Sequence, residues 1–420
     1  MKFPPSLILC MALIAGIILG EQMALPNGVL SYGTSISAVS ACVALAALFL
    51  SALLRRYGRV ATAFIIVAVF SLGVFLIKSE RNTYTAPFED SIVSFMNEKR
   101  KELIDTYRQC GLEDDEYAVV TAMTLGERTH VSSDLKETYN VSGASHVFAL
   151  SGMHLGIIYA LLAMLLPWRM TAHLGRMRRL AQFLLAMLMV FTLWAYVMLV
   201  GAHPSIMRAA VMLTVYTMAR RLSRRPDGLS VLVFTLMLLL VIWPEWLFDV
   251  GFQMSFMAVT SITLLYVPVN RWLTERMPYG WKYAVPHLLL RTMLISTCAQ
   301  IGVAPLIALY FHRFSTYFLL TNLPVPLLAA LIIYLAILLL VCAALPFTSL
   351  TAIVAWALQH VTAYLNRYLA WIASLPQASF DDIYINKVQT IIIYVITICV
   401  CMIIYRLHHG LRRRLGTVYR

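Results

Sequence analysis

A bilayer core of about 30 Å admits a helix only where roughly 20 consecutive residues are predominantly apolar, and this chain meets that condition repeatedly. Apolar runs lie at about 5–20, 35–54, 60–77, 146–166, 180–200, 204–219, 229–243, 250–268, 285–310, 317–344, 351–373 and 388–405. With 60% hydrophobic against 13% charged residues, the chain falls outside the range of soluble globular domains. Backbone amides and carbonyls in lipid must be satisfied within the segment that carries them, which leaves helices as the reading for runs of this length. The expected fold class is therefore an all-α polytopic integral membrane protein with about 10–12 membrane segments, some broken or re-entrant, and the lipid bilayer as its first partner. The first run follows Lys2 without a clean small-x-small cleavage site after it, so it reads as a retained anchor rather than a secretory signal.

Charge orients the segments. Basic residues cluster in alternate loops: Arg55, Arg56 and Arg59; Arg169, Arg176, Arg178 and Arg179; Arg220, Arg221, Arg224 and Arg225; Arg271, Arg276 and Lys282; then Arg406 and Arg412 to Arg414. The intervening turns carry Glu21, Glu245 with Asp249, and Asp381 with Asp382, Arg313 being the exception. The positive-inside rule makes the basic loops cytoplasmic, so both termini are expected on the cytoplasmic side of the membrane. The formal charge of +13 then follows from topology and is not evidence for nucleic-acid binding.

The expected organisation is 1–77, N-terminal membrane segments; 78–142, an extracytoplasmic acidic segment; 143–345, a membrane core; and 346–420, further membrane segments with a short basic tail. Within the acidic segment, Ile92, Val93, Phe95, Met96, Leu103, Ile104 and Tyr107 recur at helical spacing, giving an amphipathic helix near 88–109 and a second helix over 114–125. Covering the mouth of its own bundle is the simplest use for such a helix. Six of the seven cysteines sit in or beside the apolar runs and no pair has zinc-finger spacing; they read as small packing residues, and neither a metal nor a cofactor is expected. Neither G-x-x-x-x-G-K-[ST] nor H-E-x-x-H occurs, so any transport would be gated or driven from elsewhere.

Four stretches put polar residues at membrane depth, where they are costly and usually face a bundle interior or an aqueous path. In GASHVFALSGMHLG, an ideal helix would place Ser151 and His154 on one face, with His146 a turn earlier; Gly143, Gly152 and Gly156 are read as packing glycines, the last two in small-xxx-small spacing. In GAHPSIMRAAVM, Pro204 opens a helix whose first turns carry Ser205 and Arg208, a candidate anion site; the alternatives to a pathway role for Arg208 are snorkelling to the outer interface and pairing with Asp249, the one acid at a segment boundary that offers itself. In FDVGFQMSF, Asp249, Gln253 and Ser255 surround Gly251, with Gln253 expected above Asp249 on one helical face. In the fourth, Gln300 and Pro305 lead to TNLPVP, where Asn322, Pro324 and Pro326 interrupt an apolar run. The aromatics Phe148, Phe252 and Tyr310 in these stretches read first as lipid or core packing and second as surfaces on which planar groups could stack.

Taken in order, LGER followed by GASHVFALSGMHLGII, then GAHPSIMRAAVM, FDVGFQMSFMAV and AQIGVAPLIALYFHRFSTYFLLTNLPVPL resemble the competence domain of the ComEC family of DNA-uptake channels over about residues 90–345. The resemblance implies a non-enzymatic channel or permease that passes single-stranded DNA into the cytoplasm during natural transformation. Separate DNA-binding, nuclease or motor proteins are implied partners. His146, Ser151, His154, Ser205, Arg208, Asp249, Gln253, Ser255, Gln300 and Asn322 occupy its motif positions as pathway-lining candidates. The sequence departs from full-length members in lacking an OB-like insertion between the second and third runs and any H-x-H-x-D-H motif. Two alternatives stay open: a transporter of a smaller anionic substrate, and an intramembrane serine hydrolase using Ser151 with His146 or His154, against which stands ALSG in place of G-x-S-G.

Overall fold

The computed structural model describes residues 5–22, 30–54, 58–79, 90–148, 150–167, 177–221, 228–274, 283–345 and 348–416. Sixteen α-helices make up nearly all of it: α1 Pro5–Gln22, α2 Leu30–Leu53, α3 Gly58–Ser79, α4 Asp90–Gln109, α5 Asp114–Leu125, α6 Ser133–Val141, α7 Gly152–Leu165, α8 Arg178–Leu199, α9 Pro204–Arg221, α10 Gly228–Ile242, α11 Val250–Thr274, α12 Ala284–Phe311, α13 Phe318–Asn322, α14 Val325–Ala343, α15 Thr348–Ala373 and α16 Lys387–Gly416. Six helical stretches are long and apolar enough to cross a membrane: Pro5–Gln22, Gly58–Ile77, Arg178–Leu199, Val250–Arg271, Ala284–Phe311 and Phe318–Ala343. Shorter apolar helices cover Val39–Leu53, Gly152–Leu165, Gly228–Ile242 and Lys387–Cys401. Outward-facing Phe49, Phe191, Ile353, Trp356 and Ile391 give the bundle the contiguous apolar exterior that a monomeric soluble protein does not carry.

Several boundaries differ from those read from the letters. The run expected from residue 146 becomes a helix only at Gly152, because Gly143 takes a left-handed φ of +82° and Ser145–Val147 forms a single 3₁₀ turn. The helix α12 runs unbroken through Pro305, whereas the interruption before α14 falls at Leu323 and Pro324 as the prolines suggested. A third helix, α6, lies in the segment read as a plain return to the membrane; Ser132 caps it by accepting the Leu135 N–H. Two residues each of β1 (Phe314–Ser315) and β2 (Ser379–Phe380) pair antiparallel.

The acidic segment packs into the bundle. Helix α5 opens with Asp114, Asp115 and Glu116, which suit the positive end of the helix dipole, and then every residue from Tyr117 to Leu125 is buried. Val120 and Met123 of α5, Tyr139 of α6, Ile332 of α14 and Leu358 of α15 belong to one apolar core. A second core joins Leu155, Leu193, Ile206, Leu239 and Phe252 from α7 to α11 with Leu13 and Ile17 of α1. Polar cross-ties fix the two together: Tyr196 of α8 donates to the Thr124 carbonyl at 2.8 Å, and Tyr334 of α14 to the Ile157 carbonyl at 3.2 Å.

Helices α1 and α3 cross where neither can carry a side chain. A Cβ on Gly16 would lie 2.1 Å from the Phe70 carbonyl oxygen, and one on Gly73 would lie 2.5 Å from that of Leu13. Lipid supplies no hydrophobic drive for association, so this backbone approach is what holds the pair. Gly16→Leu and Gly73→Leu should each lower stability by about 1–3 kcal/mol, read as a lower thermal transition in detergent, while Gly58→Leu, with open space around it, should not.

Candidate functional site

A cavity of about 700 Å³ opens at one end of the bundle, lined by Arg100 of α4, Gly126 to Thr129 after α5, Leu150 before α7, His203, Pro204, Ser205 and Arg208 at the start of α9, and Asp249 and Gly251 at the start of α11. Five chain segments distant in sequence converge there. Three guanidinium groups face two carboxylates across it, leaving a formal excess of positive charge.

Each wall follows from a local device. Helix α5 stops at Gly126, whose φ is +71°; a Cβ there would meet Leu150 Cδ1 at 2.5 Å, so the stop requires glycine on two counts. The chain then turns through Glu127, whose Oε1 accepts the Thr129 N–H at 3.2 Å and the Thr129 hydroxyl at 2.8 Å. Its other oxygen receives Arg100 Nη2 at 3.4 Å. Arg128 beside it has no carboxylate partner among the described residues. Gly201 and Ala202 reverse the chain with positive φ, and α9 begins at Pro204.

Arg208 lies just over one turn into α9 and is only 4% exposed. Its Nη2 donates to the Gly251 carbonyl at 2.9 Å, its Nη1 to Asp249 Oδ1 at 3.4 Å, and its guanidinium lies 5.5 Å from the centre of the Phe252 ring. Nε has no hydrogen-bond partner among the described residues. Asp249 is the N-cap of α11, its Oδ1 accepting the Phe252 N–H at 2.6 Å.

Of the fourteen positions singled out in the sequence, Ser205, Arg208, Asp249 and Gly251 line this cavity. Gln253 points elsewhere: its side chain donates to the Leu247 carbonyl and accepts from Tyr310, and its N–H bonds the Asp249 carbonyl, because Asp249 caps the helix instead of lying within it. Asn322 ties α13 to Ser296 of α12 at 2.9 Å. Ser255 and Gln300 are half-buried on α11 and α12, away from the cavity. His146 is half-buried on the 3₁₀ turn.

Ser151 and His154 do meet, but not as neighbours on a helical face. Ser151 precedes α7 as its N-cap; His154 Nδ1 accepts the Ser151 N–H at 3.3 Å and lies 3.1 Å from its Oγ. This is a capping box, with histidine in the place usually held by Glu or Gln. The same ring nitrogen also accepts the backbone amide, so the pair has a structural task in capping α7.

The glycines also divide. A Cβ on Gly152 would lie 3.4 Å from that of Ala209 on α9, whereas one on Gly156 would meet nothing within 4 Å, so the small-xxx-small pair packs at one end only. Gly143 is a turn residue on which a Cβ would lie 2.8 Å from Ser315 Oγ, and a Cβ on Gly251 would face Asp249 and Arg208 rather than a second helix. The proposed stackers are committed elsewhere: Phe148 stacks on Tyr139, and Phe252 packs on Trp246 and Phe256.

Sequence reasoning did not select Arg100, Glu127, Arg128, Thr129, Leu150 or His203. LGER was visible as a motif, and its glycine and charge pair marked a turn; nothing local connects Arg100 to Glu127 across 27 residues.

Burial, then the charges of Arg128 and Arg100, hold the His203 imidazole below its ordinary 6.5. Burial alone would raise the Glu127 carboxyl, but the Thr129 bonds and Arg100 outweigh it and hold the group below its ordinary value. Because the folded protein disfavours charged His203, its contribution to stability is complete above about pH 6.5 and is lost as pH falls below that. His203→Gln should flatten the acid limb of a stability profile below pH 6.5. Ser151→Ala should cost about 1 kcal/mol in thermal stability, as loss of a cap does.

Comparison with known proteins gives the same picture from another direction. The model of the family described as "Competence protein" matches residues 123–409, from within α5 to within α16. The chain is 31% identical over 216 residues to ComE operon protein 3 of Bacillus subtilis (strain 168), covering 51% of this chain and 25% of that one. It is 27% identical over 247 residues to an uncharacterized protein of Aquifex aeolicus (strain VF5), covering 58% and 51%. The chain thus spans between a quarter and a half of the length of these relatives. No solved structure matches it.

Proposed function

Because the chain belongs to the competence protein family, we propose that it is a membrane channel or permease that passes single-stranded DNA inward, and that the arginine-lined cavity is the outer mouth of its path. The observation that carries this is the convergence of Arg100, Arg128 and Arg208 on one cavity, beside the N-terminal amides of α9. A polyanion needs cations and donors at its point of entry, and a guanidinium buried in a bundle calls for a functional reason. The opposite ends of α8, α9 and α11 carry Arg178, Arg179, Arg220, Arg221 and Arg271. On the positive-inside rule those ends face the cytoplasm and the cavity faces out, with both termini inside and the protein in the inner membrane.

On this reading the protein is not an enzyme. Its work is to strip phosphates of their counterions and guide a flexible chain, while capture at the surface, any strand degradation and pulling belong to separate partners. The arginines serve the phosphate backbone, which suits passage independent of sequence. A cavity of about 700 Å³ lies in the small-ligand range, so a compact anion is the competing cargo and the test must separate the two.

Uptake of labelled DNA into the cytoplasm should be lost in a deletion strain and restored by the wild-type chain, but not by Arg208→Ala or Arg128→Ala expressed at equal levels. Binding of oligothymidylate to purified protein should weaken with salt, and each arginine lost should reduce the log–log slope by about 0.7. Normal DNA uptake in the deletion strain, with altered flux of a small phosphate-bearing solute, would assign the compact-anion reading.

A further inference from the structure

The two carboxylates of the cavity and the arginines they face are held in unequal ways. Asp249 is anchored by its short bond from the Phe252 amide, 2.6 Å, and Glu127 by two bonds from Thr129, 3.2 and 2.8 Å. Each acid is thus fixed to its own turn. The bonds to the arginines are long by comparison: Arg208 Nη1 to Asp249 and Arg100 Nη2 to Glu127 both measure 3.4 Å. A settled guanidinium–carboxylate bond is about 2.7–2.9 Å. Both arginines also keep a buried Nε–H with no partner among the described residues, although a desolvated donor without a partner is unfavourable. For Arg208, 4% exposed, water offers little relief.

From this inequality we infer that Asp249 and Glu127 are exchangeable counter-ions: they pair with Arg208 and Arg100 and yield them to phosphate oxygens when substrate enters. The inference rests on the reading of the cavity as a polyanion entry and deepens it by naming how the site is kept both charged and releasable. The fixed acids stay in place, and each guanidinium shifts from a loose carboxylate to a phosphodiester, gaining a partner for Nε, Arg208 pivoting on the 2.9 Å bond of its Nη2 to the Gly251 carbonyl. When the phosphate moves on, the carboxylate recovers the arginine. Without the acids the mouth would hold its cargo; without the looseness it would never open to it. Asp249 and Glu127 are on this view positioning residues that set affinity from the weak side.

Asp249→Asn and Glu127→Gln test this cleanly, since each amide oxygen can still accept the local backbone N–H while the charge is removed. With purified protein in nanodiscs, oligothymidylate and inorganic phosphate are titrated separately against wild type, Arg208→Ala and the two amide variants. The expected result is tighter binding by each amide variant, about two- to fivefold, the size of one partly exposed ion pair. Tightening with both probes locates the exchange at the phosphate group itself, and tightening with oligothymidylate alone ties it to the polynucleotide. Unchanged or weaker binding in both amide variants, with Arg208→Ala still abolishing it, overturns the exchange and leaves the entry site standing. No oligothymidylate binding by wild type overturns the entry reading as well. Should Asp249→Asn misfold, Glu127→Gln decides alone, because Glu127 lies in the turn after α5 and does not cap the helix that carries Arg208's other partner.

Discussion

A guanidinium almost fully withdrawn from water, within a bundle whose exterior is apolar, must be held from several sides at once, and much of the cavity end of this protein is arranged to do so for Arg208. Its neighbours on α9, Ile206, Met207 and Ala210, are buried in the apolar core. Its support comes from the start of another helix, where Gly251 offers a carbonyl, Asp249 a carboxylate and Phe252 an aromatic face. That start has to be where it is: a residue later, the carboxylate would cap nothing, and a Cβ on Gly251 would press on Asp249 at 3.3 Å. The cost of burying one charge thereby fixes the register of α11 against α9.

Several backbone irregularities fall at the same end of the bundle. Gly126, Gly201 and Ala202 adopt left-handed conformations, and the chain is non-helical just before α7. Irregular backbone in a membrane protein is tolerated where it is buried in protein or lines a cavity, and here the turns do the second. Each exposes amides, carbonyls or short polar side chains that a continuous helix would have consumed, so cavity and broken helices are one feature. A second ionic tie, Arg313 to Glu137 and Asp381, joins the turn after α12 to α6 and β2. Its members are substantially exposed, so it contributes little stability by itself.

The helices were legible because lipid imposes one period and one length: each of the twelve apolar runs contains a helix or helix pair, most within a few residues of the expected bounds, although the run expected from 146 starts only at Gly152 and the last continues to Gly416. Arg208 and its pairing with Asp249 were legible for a related reason, since an arginine in such a run demands an acid and only one lay within reach. What the letters concealed was set by tertiary context. Ser151 and His154 sit three apart, which reads as a shared helical face, but the preceding turn makes Ser151 a cap. Helix α5 reads as part of an acidic external segment, because three acids at its start mask nine buried residues after them. Arg100 and Glu127 meet only because α4 folds back over α5, and no local pattern records a fold-back.

The chain is a helical membrane bundle of the competence protein family with a cavity at one end where three arginines face two carboxylates; the function proposed for it is that single-stranded DNA passes through that cavity. The most direct check of that account is to trap DNA in transit. A photo-crosslinking amino acid placed at Thr129, on the cavity wall, is compared with the same group at Trp356, which faces outward on α15, during uptake of labelled DNA by living cells. The account predicts crosslinks to single-stranded DNA from position 129 and none from 356; equal labelling at both positions, or none at 129 while uptake proceeds, would contradict it.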